Sequence, residues 1–206
     1  TDNATGTGYR ITGSATYDPW LRRDPALPNP VIIVPGIMGS QLVDSDNSEI
    51  WPNFSLMLFP GLDSFLNVLM LDVNGQLIDS VTPNSIFREI RGQDFFSSLF
   101  NEIETQGYVE NESLFEMPYD WRMDVFFAAS DSENNQVTSL KEKIEEIKGQ
   151  TGAEKVDLIA HSMGGILVKK YLKDFGGDSV SKFVDIGTPH TGAPKAFKIL
   201  NYGDNF

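Results

Sequence analysis

Apolar residues fall along this chain in short runs and in helical stripes, and the two patterns alternate through its second half. The run Val31 to Val34, closed by Pro35-Gly36, is β-branched and uninterrupted, which predicts a strand buried on both faces. Ser40 to Ile50 is polar and turn-rich. The segment from Trp51 to Val81 is the most apolar, and within it "VLMLDVNGQLI" predicts a hairpin with Asn74-Gly75 at the turn. Asp94 to Gly107 reads as a helix with Phe95, Phe96, Leu99, Phe100 and Ile103 on one face and Gly107 as its stop. "SLFEMPYDWR" reads as a strand running into a loop.

"QVTSLKEKIEEIKG" carries an amphipathic stripe of Val137, Leu140, Ile144 and Ile147, with Gly149 placed to end the helix. A strand ("KVDLIA"), a helix ("GGILVKKYLKDFGG"), a strand ("SKFVDIG") and a short helix ("APKAFKIL") follow. Alternation of this kind implies an α/β fold, a mostly parallel sheet with helices on both faces. Residues 1–28 are rich in Thr, Gly, Ser and Pro and read as a linker or the tail of an upstream module.

The chemistry concentrates in Ala160-His161-Ser162-Met163-Gly164, a small-x-Ser-x-small pattern between a strand and a helix. A strand that turns sharply into a helix presents a serine hydroxyl at the apex, and the crowded turn demands small residues two positions to either side. Ala160 stands where Gly is usual but is still small. The alternative is a Ser-Gly helix start without chemistry. An acyl-transfer serine also needs two backbone N–H donors for the developing oxyanion. The residue after the nucleophile, Met163, offers one. The "VPGIMGS" loop, in which Gly36 lets the backbone approach a ligand, offers the other at Ile37, unless that loop is an ordinary glycine-rich connection.

A serine nucleophile needs a base, and the chain has two histidines. His161 adjoins the serine, and adjacent side chains on a sharp elbow point apart. His190 lies 28 positions beyond Ser162 in "GTPHTG" and reads as a residue lining the site rather than as the base. Asp185 faces one side of its strand or the other, and the sequence does not decide which.

"VIIVPGIMGSQL", "MPYDWR", "DLIAHSMGG" and "FVDIGTPHTGAPKA" together resemble the lecithin:cholesterol acyltransferase family in order and spacing. That resemblance implies an α/β-hydrolase fold and movement of acyl groups from lipid esters. It implies Ser162 as nucleophile and the backbones of Ile37 and Met163 as oxyanion donors. Trp51, in "WPNF", falls in the segment the family places near its lipid-binding surface. Asp120 and Arg122, in "PYDWR" after the strand that precedes the nucleophile strand, are read as bracing loops rather than reacting. The family's acid and base lie beyond the last residue of this chain. Residues 29–206 are thus expected to be the N-terminal part of a catalytic domain, with cap and last strands missing, and nearly inactive alone. The same resemblance leaves a non-lipid serine esterase and an inactive hydrolase-like binding module as alternatives.

Charge narrows the partners. Twenty-nine acidic against 16 basic residues give a formal net charge of −13, which disfavours nucleic acid and anionic lipid. With no cysteine, thiol chemistry and thiolate metal sites are excluded. No metal or organic cofactor is expected, the partner being a lipid or other ester, with contact to a lipid surface through Phe54 to Leu71 as one reading and a core layer as the other. "DSDNSE" resembles a piece of a calcium loop but lacks its Gly and length, so a solvated turn is expected. No apolar run is long enough to span a bilayer, and a secreted or cell-surface protein of bacterial type is the favoured reading.

Overall fold

The structure, a computed structural model, describes residues 28–53, 63–74, 77, 81–125 and 139–202. The residues 1–28 read as a linker, apart from the last, lie outside these, as do Val137, the part of the candidate lipid-contact segment from Phe54 to Leu62, and Gly75 of the expected turn.

Strand β1 (Val31–Val34) is buried at all four positions, as an uninterrupted β-branched run requires when both faces are covered. It is central in a four-stranded parallel sheet with β7 (Leu114–Glu116), β8 (Val156–His161) and β9 (Val180–Ile186), in the order β7-β1-β8-β9. Alternation along β1 sends Ile32 and Val34 to one face and Val31 and Ile33 to the other. On the first face they meet Leu140, Ile144 and Ile147 of helix α2 (Leu140–Thr151) and Leu167, Val168 and Tyr171 of helix α3 (Met163–Phe175). On the second they meet Leu99, Phe100 and Ile103 of helix α1 (Ser97–Thr105). Helices therefore cover both faces, as the alternating pattern predicts.

Local chemistry sets the helix ends, and it corrects two expectations. Gly149 lies inside α2; the stop is Gly152, at φ 68°, whose N–H donates to the Lys148 carbonyl. Of the two, Gly152 is the one in the left-handed conformation that glycine tolerates without a Cβ penalty. Phe95, expected on the buried face of α1, precedes that helix and is exposed, because β6 (Gln93–Asp94) pairs with β5 (Glu89–Ile90) and holds the chain extended up to it.

The polar stretch after β1 is also more ordered than expected. Ser40–Val43 (β2) and Glu49–Trp51 (β3) form an antiparallel pair, extended by β4 (Thr82–Ile86) into a three-stranded sheet. Its turn is the acidic one. Asp44 Oδ1 accepts from the N–H groups of Asp46 and Ser48, so the oxygen that would ligate a cation closes the turn instead. Of the hairpin expected from Val68 to Ile78, the described residues show an antiparallel bridge, Leu71 to Leu77, preceded by a 3₁₀ helix at Asp63–Leu69. The last helix, α4 (Pro194–Tyr202), follows β9. Among the described residues, no helix is long and apolar enough to cross a membrane.

Candidate active site

Ser162 joins β8 to α3 with φ 52° and ψ −124°, a conformation that suits glycine and strains any L-residue. The strain is held by its surroundings. Its own N–H donates to the Ile186 carbonyl of β9 at 2.9 Å, and its carbonyl accepts from Gly165 at 3.0 Å. A serine beginning a helix ordinarily caps it with its side-chain oxygen; Ser162 does not, so its hydroxyl is not spent on the helix. Helix α3 starts at Met163, where the first N–H groups lack intrahelical acceptors and the helix dipole is positive.

The loop after β1 lies directly against this elbow. A Cβ on Gly36 would stand 2.9 Å from Ser162 Cβ, closer than real Cβ atoms approach, and a tight 3.1 Å from His161 Nδ1. A Cβ on Gly164 would overlap the Pro35 carbonyl oxygen, and lie 2.7 Å from that of Val34. The two small positions therefore let β1 and its loop touch the elbow. This brings Gly36, Ile37, Ser162 and Met163 into one neighbourhood. The apolar side chains of Ile37 and Met38 are 56% and 37% exposed there.

Both histidines have other partners. His161 is exposed at the end of β8, with its ring edge-on to Phe96 at 6.0 Å between centroids. His190 is bonded through Nε2 to Asp185 Oδ2, across the turn that follows β9. The sequence left the direction of Asp185 open, and the pairing with His190 was not anticipated; an Asp at a strand end five residues before a His, across Gly-Thr-Pro, was the available signal. The Thr188 hydroxyl, and after it the His190 ring, hold the Asp185 carboxyl below its ordinary range. Thr188 Oγ1 is buried beside that carboxylate without good hydrogen-bond geometry. A Cβ on Gly165 would collide with Thr188 Oγ1 and lie 2.9 Å from Asp185 Oδ1, so the Asp185–His190 loop rests on the first turn of α3.

"PYDWR" braces loops, as expected. Arg122 forks onto Asp120, with Nε to Oδ1 at 2.9 Å and Nη2 to Oδ2 at 2.7 Å, both side chains 5% exposed. The same guanidinium reaches the carbonyls of Val68 and Val81 at 3.4 Å, tying the 3₁₀ helix and the start of β4 to the sheet. Trp121, which the sequence did not single out, packs edge-on to Trp51 at 5.4 Å. Among the described residues, no group of three or more His, Cys, Asp or Glu is placed to hold a metal ion.

Residues 49–206 match the lecithin:cholesterol acyltransferase family. The chain is 26% identical over 226 residues to a human protein named lysosomal phospholipase A and acyltransferase, covering 90% of this chain and 53% of that one. It is 28% identical over 198 residues to lecithin-cholesterol acyltransferase-like 4 of Arabidopsis thaliana, covering 83% and 36%. With phosphatidylcholine-sterol acyltransferase of Mus musculus the identity is 26% over 213 residues, covering 85% and 47%. The chain spans about half the length of such relatives, or less. With a parallel sheet between two helical layers and a family match over most of its length, the chain belongs to the lecithin:cholesterol acyltransferase family, of α/β-hydrolase fold.

Proposed function

We propose that residues 29–206 are the N-terminal part of a serine acyl-transfer domain acting on lipid esters, with residues 1–28 a linker or the tail of an upstream module. The observation that carries this reading is the strained, uncapped Ser162 at the strand-to-helix turn, with the Gly36 loop against it. The relatives' names, phospholipase and acyltransferase, agree with it. So do the exposed Ile37 and Met38, which offer apolar surface to an acyl chain beside the reacting atoms.

In the proposed reaction a base takes the Ser162 proton as Oγ forms a bond to the ester carbonyl carbon. The N–H groups of Ile37 and Met163 hold the resulting oxyanion. The ester C–O bond then breaks, the alcohol leaves with the proton, and the acyl group stays on Ser162. Water or a second alcohol attacks this acyl-enzyme and releases the acid or a new ester. The base and its orienting acid are assigned to residues outside these 206, and no metal or organic cofactor enters the scheme. A secreted, cell-surface or otherwise non-cytoplasmic location fits the word lysosomal in the relatives' name.

The test uses the longer polypeptide that carries this chain. A fluorophosphonate probe is expected to label Ser162, and Ser162→Ala to remove both labelling and turnover of phospholipid vesicles. Removal of the nucleophile typically costs about 10⁶ in kcat. Intact labelling in Ser162→Ala would overturn the assignment, and no labelling of the native protein would favour an inactive module. Adding competing alcohols then separates transfer from hydrolysis. Residues 1–206 expressed alone are expected to turn over a short-chain nitrophenyl ester only marginally.

A further inference from the structure

The loop that lies against Ser162 is a tight turn from Gly36 to Gly39, closed by the Gly39 N–H on the Gly36 carbonyl at 3.1 Å. Of its two central residues only Met38 has positive φ, at 61°. A negative φ followed by a positive one defines a type II turn, whose third position favours glycine or asparagine. Methionine there is strained. Ile37 is more than half exposed and Met38 is 37% exposed, so core packing of these side chains does not by itself seat the turn.

Two indoles do reach this backbone. Trp51 Nε1 donates to the Met38 carbonyl at 3.1 Å, and Trp121 Nε1 donates to the Ser40 carbonyl at 3.2 Å. They grip the chain on either side of Gly39 and pack on each other edge-to-face. Behind them the Tyr119 N–H donates to Ser40 Oγ at 3.0 Å, which fixes Ser40 in the core. Trp51 comes from β3 and Trp121 from the loop beyond β7, so the clamp joins both sheets to one turn.

We propose that Trp51, seated on Trp121, is a positioning residue for acyl transfer: its indole N–H holds the Met38 carbonyl and so anchors the Gly36–Gly39 turn, with the Ile37 N–H assigned to the oxyanion, against Ser162. Release of the clamp lets the turn shift and moves that donor relative to Ser162. The inference rests on the reading of Ser162 as nucleophile and adds a device that reading does not contain.

The experiment removes the Trp51 donor in the longer, active polypeptide. Trp51→Phe keeps an aromatic ring but removes the donor. It is expected to lower kcat on a soluble nitrophenyl ester about tenfold, less than the 10²–10³ lost with a whole oxyanion donor, and to leave KM within about twofold. Its thermal unfolding is expected to stay near that of the native protein. A fully active Trp51→Phe overturns the proposal. So does a loss confined to KM, or a kcat loss that only mirrors a lowered thermal unfolding. Ser162→Ala is run beside them: turnover surviving in that variant sinks the nucleophile assignment, whereas a dead Ser162→Ala with an unaffected Trp51→Phe sinks only the clamp.

Discussion

At Ser162 the backbone angles and the proposed chemistry make opposite demands. A residue held at φ 52° and ψ −124° carries roughly 1–3 kcal/mol of strain. Ser162→Gly relieves it, while the extra freedom of glycine in the unfolded chain costs about 0.5–1 kcal/mol. The expected net is about 1 kcal/mol of added stability, or a Tm higher by roughly 2–4 °C in a chain of this size, with fluorophosphonate labelling abolished. A lower Tm in differential scanning calorimetry would show that the elbow is relaxed. Much at this scale was legible in sequence, because the small residues around a nucleophilic turn are a local requirement. The reason for one of them was not. Gly164 is small because the Pro35 carbonyl, 129 positions earlier in the chain, occupies the space its Cβ would need. Gly36 is bare for the same reason, and Gly36→Ala is expected to push the loop from Ser162 by a few tenths of an ångström. Near-attack geometry tolerates such shifts poorly, so acylation should slow about tenfold or more with little change in Tm.

Elements with a single strong local signal were predictable; those defined by pairing were not. Helix α2 announces itself by its stripe and by Ser139 followed three residues later by Glu142, which form a reciprocal capping box: Ser139 N–H donates to Glu142 Oε2 at 2.8 Å and Ser139 Oγ accepts from the Glu142 N–H at 3.3 Å. Ser139→Ala is expected to cost about 1 kcal/mol in urea unfolding without altering the m-value. By contrast, β2 and β3 are four and three residues long with mixed polarity, and only their pairing with each other and with β4 makes them strands. The Asp185–His190 contact is likewise made by a turn whose path the sequence does not reveal. Its linkage to pH has a definite sign. Asp185 has a lowered pKa when folded, so its stabilising contribution is present above the unfolded value near 3.8 and fades as pH falls through the folded pKa. Asp185→Asn should therefore weaken the protein modestly at pH 6, the group being well exposed to solvent, and the gap to wild type should close below about pH 3.8. A gap that persists at lower pH would trace the loss to shape rather than charge.

For the molecule as a whole, the informative contrast lies between the centre of the parallel sheet and one of its edges. Strands β1 and β8 are almost wholly buried, as parallel strands covered on both faces should be. β9 pairs with β8 along its full length, yet among the described residues it has no neighbour on its other side, and Val184 and Ile186 are 49% and 41% exposed. A parallel strand rich in Val, Phe and Ile does not ordinarily face water, since an open edge invites association. This contrast is the physical support for the proposal that residues 29–206 are one part of a larger domain, whose remaining strands and helices cover β9 and supply the acid and the base. Hydrogen exchange checks it directly. With residues 1–206 alone, the β9 amides that do not bond to β8 are expected to exchange quickly, and the chain to bind a hydrophobic dye and self-associate. In the longer polypeptide the same amides are expected to be protected at least 100-fold more, corresponding to about 2.7 kcal/mol of added local stability. Unchanged exchange at β9 between the two forms would mean that no further element covers this strand, and would overturn the proposal.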